Sequence, residues 1–494
     1  MSAAASAIDF LRQAEVAMRL RRLLPADAVL HSEEDTRAYE CDGLSAYRQL
    51  PMVVALPSTE DEVREVLRAC NQLKVPVTAR GAGTGLSGGA LPRGDGVLLS
   101  LARMRRILAV NPLARTARVQ PGVTNLAVSE AAAVYGLFYA PDPSSQIACS
   151  IGGNVAENSG GVHCVKYGLT VHNVLAVRGY GIDGERIELG GAAPDSPGMD
   201  LLALSIGSEG LLMVVTEVLV RLMPQPPCAQ LLMACFADVQ QAGAAVAAII
   251  AAGIIPAALE MMDRKASAAV EPFVHAGYDL TAAAILLVEA DGSAAEVAEQ
   301  VADIERVLRA AGASSLRVAQ DEAERARLWS GRKNAFPAAG RLSPDYYCMD
   351  GTIPRKHVGS VLQAIEHMEA RYQLRCMNVF HAGDGNLHPV ILFDASEPGS
   401  WERAESFGAE ILELCVALGG TITGEHGVGL EKINSMCVQF SSAERAAFAA
   451  VKAAFDPNAL LNPGKLIPTL ARCAEYGRMR VHGGALAHPE LPRF

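Results

Sequence analysis

His381 and His388 stand on either side of Asp384-Gly385 in the run Asn378-Val379-Phe380-His381-Ala382-Gly383-Asp384-Gly385-Asn386-Leu387-His388-Pro389. Asp-Gly is a preferred two-residue turn of a β-hairpin, because both central residues must take positive φ. With those two residues as the turn, Gly383 pairs with Asn386, Ala382 with Leu387 and His381 with His388. Directly opposed residues share a sheet face with Cβ atoms about 5 Å apart, close enough for two imidazoles to hold one metal ion. A third ligand must come from elsewhere in the chain. Glu425 in Gly424-Glu425-His426-Gly427, bounded by glycines after the apolar strand Thr421-Ile422-Thr423, is the best placed candidate. Two histidines and a carboxylate with open coordination positions suit zinc, iron or manganese. A buried histidine more often satisfies a hydrogen bond than binds metal, so the pairing carries this expectation rather than the residue type.

These side chains need a scaffold that brings distant segments together. Between Val53 and Val220 short apolar runs alternate with glycine turns, and MVVALP, VPVTAR, GVLLSL, ARVQPG, NVLAVRGYG and MVVTEVLVRL read as strands. Helical patterns cover 59–73 and 124–135, the first opening on Ser58, Thr59 and two acids, a helix-start signature. The proline-rich break Met223-Pro224-Gln225-Pro226-Pro227 marks a domain boundary. Beyond it, alanine-rich helical patterns (297–311, 357–372, 401–418) alternate with strands such as AAAILLVEADG, so a sheet with helices packed on it is expected. The uncharged run 242–259 is interrupted by Gly253 and Pro256 and reads as a buried helix, a turn and a strand, not a membrane span. Residues 456–465 are turn formers and are expected at the surface or in a site, not in the core.

Arg80-Gly81-Ala82-Gly83-Thr84-Gly85-Leu86-Ser87-Gly88-Gly89 has the glycine spacing of a dinucleotide fingerprint. A Rossmann loop must open a helix and be followed about 20 residues on by an acid. Here Pro92 and the glycines after it break the chain, and Arg103 stands where the acid belongs. The better reading is a nest of backbone N–H groups wrapped round a pyrophosphate. A second such stretch strengthens it: Pro141-Asp142-Pro143-Ser144-Ser145, then Ser150-Ile151-Gly152-Gly153-Asn154 and Asn158-Ser159-Gly160-Gly161.

Composition sets exclusions. The formal net charge of -11 argues against a nucleic-acid partner. Eleven cysteines with no C-x-x-C pair rule out a disulfide framework, a zinc ribbon and iron–sulfur spacing, and fit a reducing cytoplasm. Asp9 interrupts the N-terminus early, so no signal peptide is expected.

Together with Ile206-Gly207-Ser208-Glu209-Gly210 and Leu460-Leu461-Asn462-Pro463-Gly464-Lys465, the two glycine stretches resemble the FAD-binding domain of the vanillyl-alcohol oxidase family. The likeness is greatest to the branch holding glycolate oxidase D subunits and D-lactate and D-2-hydroxyglutarate dehydrogenases, and it runs over nearly the whole chain. It implies an α+β fold: a two-subdomain PCMH-type FAD-binding domain over 1–223, an α+β cap domain with an antiparallel sheet over 224–419, and a C-terminal segment over 420–494 that returns to the FAD domain and completes the site. It implies FAD contacts from Arg80, Gly81, Ala82, Gly83, Thr84, Gly85, Ser87 and Gly88 in the first stretch. From the second come Pro141, Asp142, Ser144, Ser145, Ser150, Gly152, Gly153, Asn154, Asn158 and Gly160, and from the remaining motifs Glu209, Gly210 and Asn462. Several relatives tether the flavin through a histidine in the first loop. Ala82 and no histidine stand here, so FAD is expected to be non-covalent.

The same resemblance assigns His381, His388 and Glu425 as ligands of a divalent metal, His426 as the base, and Arg332 in Trp329-Ser330-Gly331-Arg332-Lys333-Asn334-Ala335-Phe336 as the grip on the substrate carboxylate, a bidentate task suited to guanidinium. Lys333 reads as a solvated helix charge. The implied chemistry is hydride transfer from C2 of a small D-2-hydroxy acid, glycolate or D-lactate, to flavin N5. Phe336 and Cys348 replace the small polar and basic groups that relatives offer to the second carboxylate of 2-hydroxyglutarate. Implied partners are a second flavin-domain subunit and an iron–sulfur subunit passing electrons toward quinone. They would hold a cytoplasmic protein at the periphery of the inner membrane. An ether-lipid synthase-like flavoenzyme without net redox turnover is one alternative. A flavin relay or scaffold subunit is the other, and it would need none of His381, His388, Glu425, His426 and Arg332.

Overall fold

The helix Glu60–Leu73 begins where Thr59 and Glu62 close a reciprocal capping box, buries Val63, Val66, Leu67 and Cys70 along one stripe, and ends at Lys74 in the left-handed region. It feeds the strand Val77–Arg80. The computed structural model describes residues 8–193 and 198–468 and the backbone of 481–482 and 485–486. The strands and helices read between Val53 and Val220 are present, including Val53–Ala55, Val97–Ser100, Thr116–Val119, Val174–Tyr180, Val214–Arg221 and the helix Asn125–Ala133.

The chain divides into two units. The first comprises Met1–Ser159, Leu169–Pro224 and Glu425–Phe494, and the second Gly160–Gly168 and Gln225–Gly424. The first unit holds two sheets. In one, Val53–Ala55 and Val77–Arg80 lie parallel on either side of Val97–Ser100, with Val29–Leu30 antiparallel at the edge. The other is a five-stranded antiparallel sheet in the order Ile107–Asn111, Thr116–Val119, Val214–Arg221, Val174–Tyr180, Arg186–Gly190. Each sheet has its own apolar cluster.

The second unit is built on a seven-stranded antiparallel sheet in the order Ser315–Val318, Cys228–Phe236, Ala284–Gly292, Ala258–Asp263, Arg375–Phe380, Pro389–Phe393, Asp345–Cys348. The run 242–259 becomes the end of the helix Val239–Ala251, a turn at Gly253 and the start of the strand Ala258–Asp263. Gly160–Gly168 is stapled into this unit: Lys166 and Tyr167 bind Asp291, and His163 lies 3.3 Å from Glu289. No helix among the described residues is long and apolar enough to cross a membrane.

Two readings change. Residues 456–465 stay at the surface only in part: Pro457, Asn458 and Ala459 are exposed, but Leu460 and Leu461 join the apolar cluster of the first unit. Val77 donates to Leu460 O and Asn462 to Val77 O, each at 2.7 Å, so the two leucines extend the edge of the parallel sheet. Composition counts turn formers and misses this edge. Thr421-Ile422-Thr423 is not a strand but a single bridge between Thr421 and Thr352.

Candidate active site

In the first unit, the loop after Val77–Arg80 runs on without opening a helix, which bears out the rejection of a Rossmann loop. Among the described residues, no backbone N–H from Gly81 to Gly89 reaches an acceptor within the protein. Backbone donors are rarely left unpaired, and a run of them without side chains in the way is what an anionic pyrophosphate requires. Gly83 and Gly88 take positive φ, and a Cβ on Gly85 would meet nothing within 4 Å. The residues therefore fit FAD.

The second stretch behaves differently. Ser150 caps a helix, Ile151–Glu157, its Oγ accepting from Gly153 N at 3.3 Å. Ile151 N donates to Val123 O, Gly152 N to Pro121 O and Asn154 N to Ser150 O. These amides are spent inside the unit, so Ser150–Asn154 is the start of a helix and not a loop of unpaired donors like the first stretch. What this helix start does is approach the first loop, since a Cβ on Gly81 would collide with Ser150 Oγ.

Several other expected contact residues are committed to the protein itself. Arg80 donates to Cys41 O at 2.6 Å, and burial lowers its pKa. Asn154 accepts from Asn125 at 3.0 Å, and Asn158 accepts from Val171 N at 2.9 Å. The Asn462 amide donates to Gly89 O at 3.0 Å and Glu209 O at 2.7 Å, while Lys465 donates to Gly89 O, Leu91 O and Asn462 Oδ1. Glu209 accepts the N–H groups of Val428 and Gly429, both at 2.7 Å, and burial still raises its carboxyl pKa. Glu209 thus holds the backbone just after Glu425-His426.

In the second unit, the hairpin of the two histidines has a different register from the one read in the sequence. His381 N donates to Asn386 O at 3.0 Å and Asn386 N to His381 O at 3.2 Å, leaving a four-residue loop, 382–385. The ladder continues through Asn378 opposite Pro389, so Val379 faces His388. His381 and His388 are diagonal neighbours, not directly opposed. The slip is two residues, and side chains alternate with period two, so both histidines keep the same face. The longer loop is fixed by partners far away in the chain: Gly383 N donates to Leu259 O, Ile353 N to Gly385 O, and Arg355 to Gly383 O. The imidazole centroids are 5.1 Å apart, nearly perpendicular, and a ring nitrogen of each lies within 4.8 Å of the other's.

His381 Nδ1 lies 2.9 Å from Glu260 Oε1, and His388 Nδ1 lies 3.4 Å from Met349 O. Each ring thus has its Nδ1 beside an oxygen of the protein, which fixes the plane in which the imidazole lies. Arg332, near the end of the helix Glu322–Lys333, is 1% exposed; its Nε donates to Glu260 Oε2 at 2.6 Å and its Nη2 stands 3.4 Å from His381 Nδ1. Burial pushes the Glu260 carboxyl up, but His381 and Arg332 outweigh it and the net direction is down. Glu260 was missed in the sequence, where its signal is a lone acid inside the apolar run Ala258-Leu259-Glu260-Met261-Met262. The Phe336 ring lies 6.2 Å from that of His388, and Cys348 is buried on the adjoining strand. Glu425 and His426 open the segment that belongs to the first unit. They follow Gly424, whose N–H donates to Asp350 O and Oδ2, both at 3.0 Å.

A glycine loop with unpaired amides, in an α+β fold whose other unit buries an Arg–Glu–His cluster, fits a flavin-dependent oxidoreductase. A family model described as FAD binding domain matches residues 51–190, and one described as FAD linked oxidases, C-terminal domain, matches residues 225–466. The chain belongs to the FAD-linked oxidases. It is 60% identical over 488 residues to glycolate oxidase subunit GlcD of Escherichia coli strain K12, covering 99% of this chain and 98% of that one. It is 40% identical to glycolate oxidase subunit GlcD of Bacillus subtilis strain 168, covering 88% and 93%. In fold it is similar to p-cresol methylhydroxylase with substrate bound, at a TM-score of 0.78 and 17% identity over 94% of this chain and 99% of that one.

Proposed function

We propose that the protein oxidises a small D-2-hydroxy acid, glycolate or D-lactate, to the 2-oxo acid, with non-covalent FAD in the first unit and a divalent ion held by His381, His388 and Glu425. The observation that carries this reading is the Glu260 carboxylate shared by Arg332 and His381, which sets an anion grip beside two metal donors. The likeness to glycolate oxidase subunits supports the substrate class. The first unit corresponds to the FAD domain, the second to the cap.

FAD bound in the first unit would supply the hydride acceptor for C2, and a divalent ion held by His381, His388 and Glu425 would supply a lowered pKa for the substrate hydroxyl. The chain supplies the rest. His381 and His388 offer Nε2, and Glu425 offers a carboxylate. With its Nε taken by Glu260 and its Nη2 3.4 Å from His381 Nδ1, Arg332 turns Nη1 and the outer N–H of Nη2 to the substrate carboxylate. His426 removes the hydroxyl proton. Phe336, its ring 6.2 Å from that of His388, is the bulk that would disfavour longer acids. Relatives named as subunits favour partner chains, which we propose to be a second flavin-domain subunit and an iron–sulfur subunit leading toward quinone, with the protein peripheral at the inner membrane.

The test is a panel of D- and L-2-hydroxy acids with an artificial dye acceptor, alongside anaerobic bleaching of the flavin. Glycolate or D-lactate should exceed D-2-hydroxyglutarate in kcat/KM, because Phe336 and Cys348 cannot pair a second carboxylate and leaving one buried costs several kcal/mol. Equal or greater kcat/KM for the dicarboxylate would overturn the substrate assignment. A flavin that no 2-hydroxy acid bleaches would overturn the activity.

A further inference from the structure

Met261 faces Phe380 and Met262 faces Val379 on adjacent antiparallel strands, and continuing that register puts Glu260 opposite His381. Directly opposed side chains are neighbours on one sheet face. The Glu260 side chain is 1% exposed and divides its two oxygens: Oε1 lies 2.9 Å from His381 Nδ1 and Oε2 lies 2.6 Å from Arg332 Nε. The Arg332 Nη2, which can only donate, stands 3.4 Å from the same His381 Nδ1. With Glu260 accepting from both, the guanidinium and the imidazole N–H can stand this close without either donor facing the other unpaired.

We propose that Glu260 is a positioning residue that couples the metal ligand His381 to the substrate grip Arg332, so that one carboxylate sets both the tautomer of the first and the orientation of the second. The inference rests on the metal and substrate roles proposed above. By accepting Nδ1–H, Glu260 holds His381 in the tautomer whose Nε2 is a lone-pair donor, the form a metal ligand needs. By accepting from Nε, it leaves the terminal edge of Arg332 for a carboxylate. It also cancels the Arg332 charge, so the guanidinium holds a substrate by geometry while the net attraction for an anion comes from the ion.

The test compares wild type, Glu260→Gln and the double variant Glu260→Gln/Arg332→Met, with zinc or manganese as the probe. An amide offers one acceptor and turns N–H groups toward the other partner, so it cannot serve His381 and Arg332 together. The metal Kd of Glu260→Gln should rise by about 10- to 100-fold, the usual effect of losing such an outer partner. At saturating metal its KM should rise by about tenfold or more with a smaller change in kcat, while FAD content stays at the wild-type level. The double variant removes both buried charges and so escapes the penalty of an unpaired one. Its metal Kd should stay raised, because His381 still lacks its carboxylate. If Glu260→Gln and the double variant bind metal with the wild-type Kd, or lose only thermal stability and FAD, the coupling is wrong even though wild type binds metal. If metal-free wild type turns over normally, the metal assignment itself falls and takes the coupling with it.

Discussion

The imidazoles of His381 and His388 stand edge to face, 5.1 Å between centroids, as diagonal neighbours on one face of the sheet in the second unit. The loop proposed to cradle FAD belongs to the other unit, so metal and flavin should be separable. His388→Ala should purify yellow and folded but nearly metal-free, and flavin reduction by substrate should slow by orders of magnitude while dithionite still bleaches it. His426→Ala should keep the metal and lose about 10²-fold or more in rate. Elemental analysis and anaerobic stopped flow decide. Loss of FAD from His388→Ala would make the histidine pair structural.

Arg332 is buried and spends Nε on Glu260, so its remaining value is the planar terminal edge. Arg332→Lys keeps the charge and loses that edge. One ammonium must then choose between Glu260 and the substrate. kcat/KM should fall at least about tenfold, the equivalent of roughly 1.4 kcal/mol, with FAD content unchanged. A variant with wild-type kcat/KM would remove Arg332 from the substrate site.

How far the sequence reaches depends on where each feature's determinants lie. Strands such as Val174–Tyr180 and the capped helix Glu60–Leu73 were readable because their signals are local: alternating apolar residues, glycine turns, a Thr59-to-Glu62 box. The pairing of His381 was not, because the loop 382–385 is pinned by Leu259, Ile353 and Arg355. Local turn chemistry favours Asp384-Gly385, and tertiary contacts override it. That His381 and His388 still share a face follows from the even size of the slip. Ser150-Ile151-Gly152-Gly153 looked like a loop because glycines dominate it, whereas Ser150 with its cap to Gly153 starts a helix. Glu260 shows in the sequence only as an acid where a buried strand should be apolar, and its partners Arg332 and His381 lie 72 and 121 residues away.

The ion network that fastens Gly160–Gly168 to the second unit gives a pH prediction. Burial alone would raise the Glu289 carboxyl, but His163, Arg325 and the Trp329 N–H outweigh it and hold the group at about 2, below its ordinary 4.5. A depressed acid stabilises the fold above its unfolded pKa, and that contribution is lost as pH falls through about 4.5 toward 2. The shift is worth about 3 kcal/mol at neutral pH as an order of magnitude. Glu289→Gln should therefore lower stability by about 2–3 kcal/mol at pH 7, and the gap to wild type should narrow between about pH 5 and the acid limit of folding. Urea unfolding at several pH values measures it. A gap that stays constant with pH would mean that packing, not charge, is lost.

The glycine loop allows the sharpest separation of fold from cofactor. A Cβ on Gly81 would collide with Ser150 Oγ and come within 3.4 Å of Gly153 N, and that hydroxyl is itself the helix cap. Gly81→Ala must push the loop from the helix start or break the cap, a loss of about 1 kcal/mol or more, so both FAD content and the Tm of flavin-stripped protein should fall. Gly85 is the contrast. Its φ lies outside the left-handed region and a Cβ there meets nothing within 4 Å, so alanine adds a methyl group to open space. Flavin-stripped Gly85→Ala should match wild type in stability to within about 0.5 kcal/mol. If that open space is where the pyrophosphate reaches the amides of Gly81–Gly89, the methyl group occupies it, and FAD should bind at least about tenfold more weakly, roughly 1.4 kcal/mol. Titrating FAD into the stripped proteins and scanning their thermal unfolding separates the two effects. A Gly85→Ala protein that rebinds FAD with wild-type affinity would show that the cofactor does not lie over this loop.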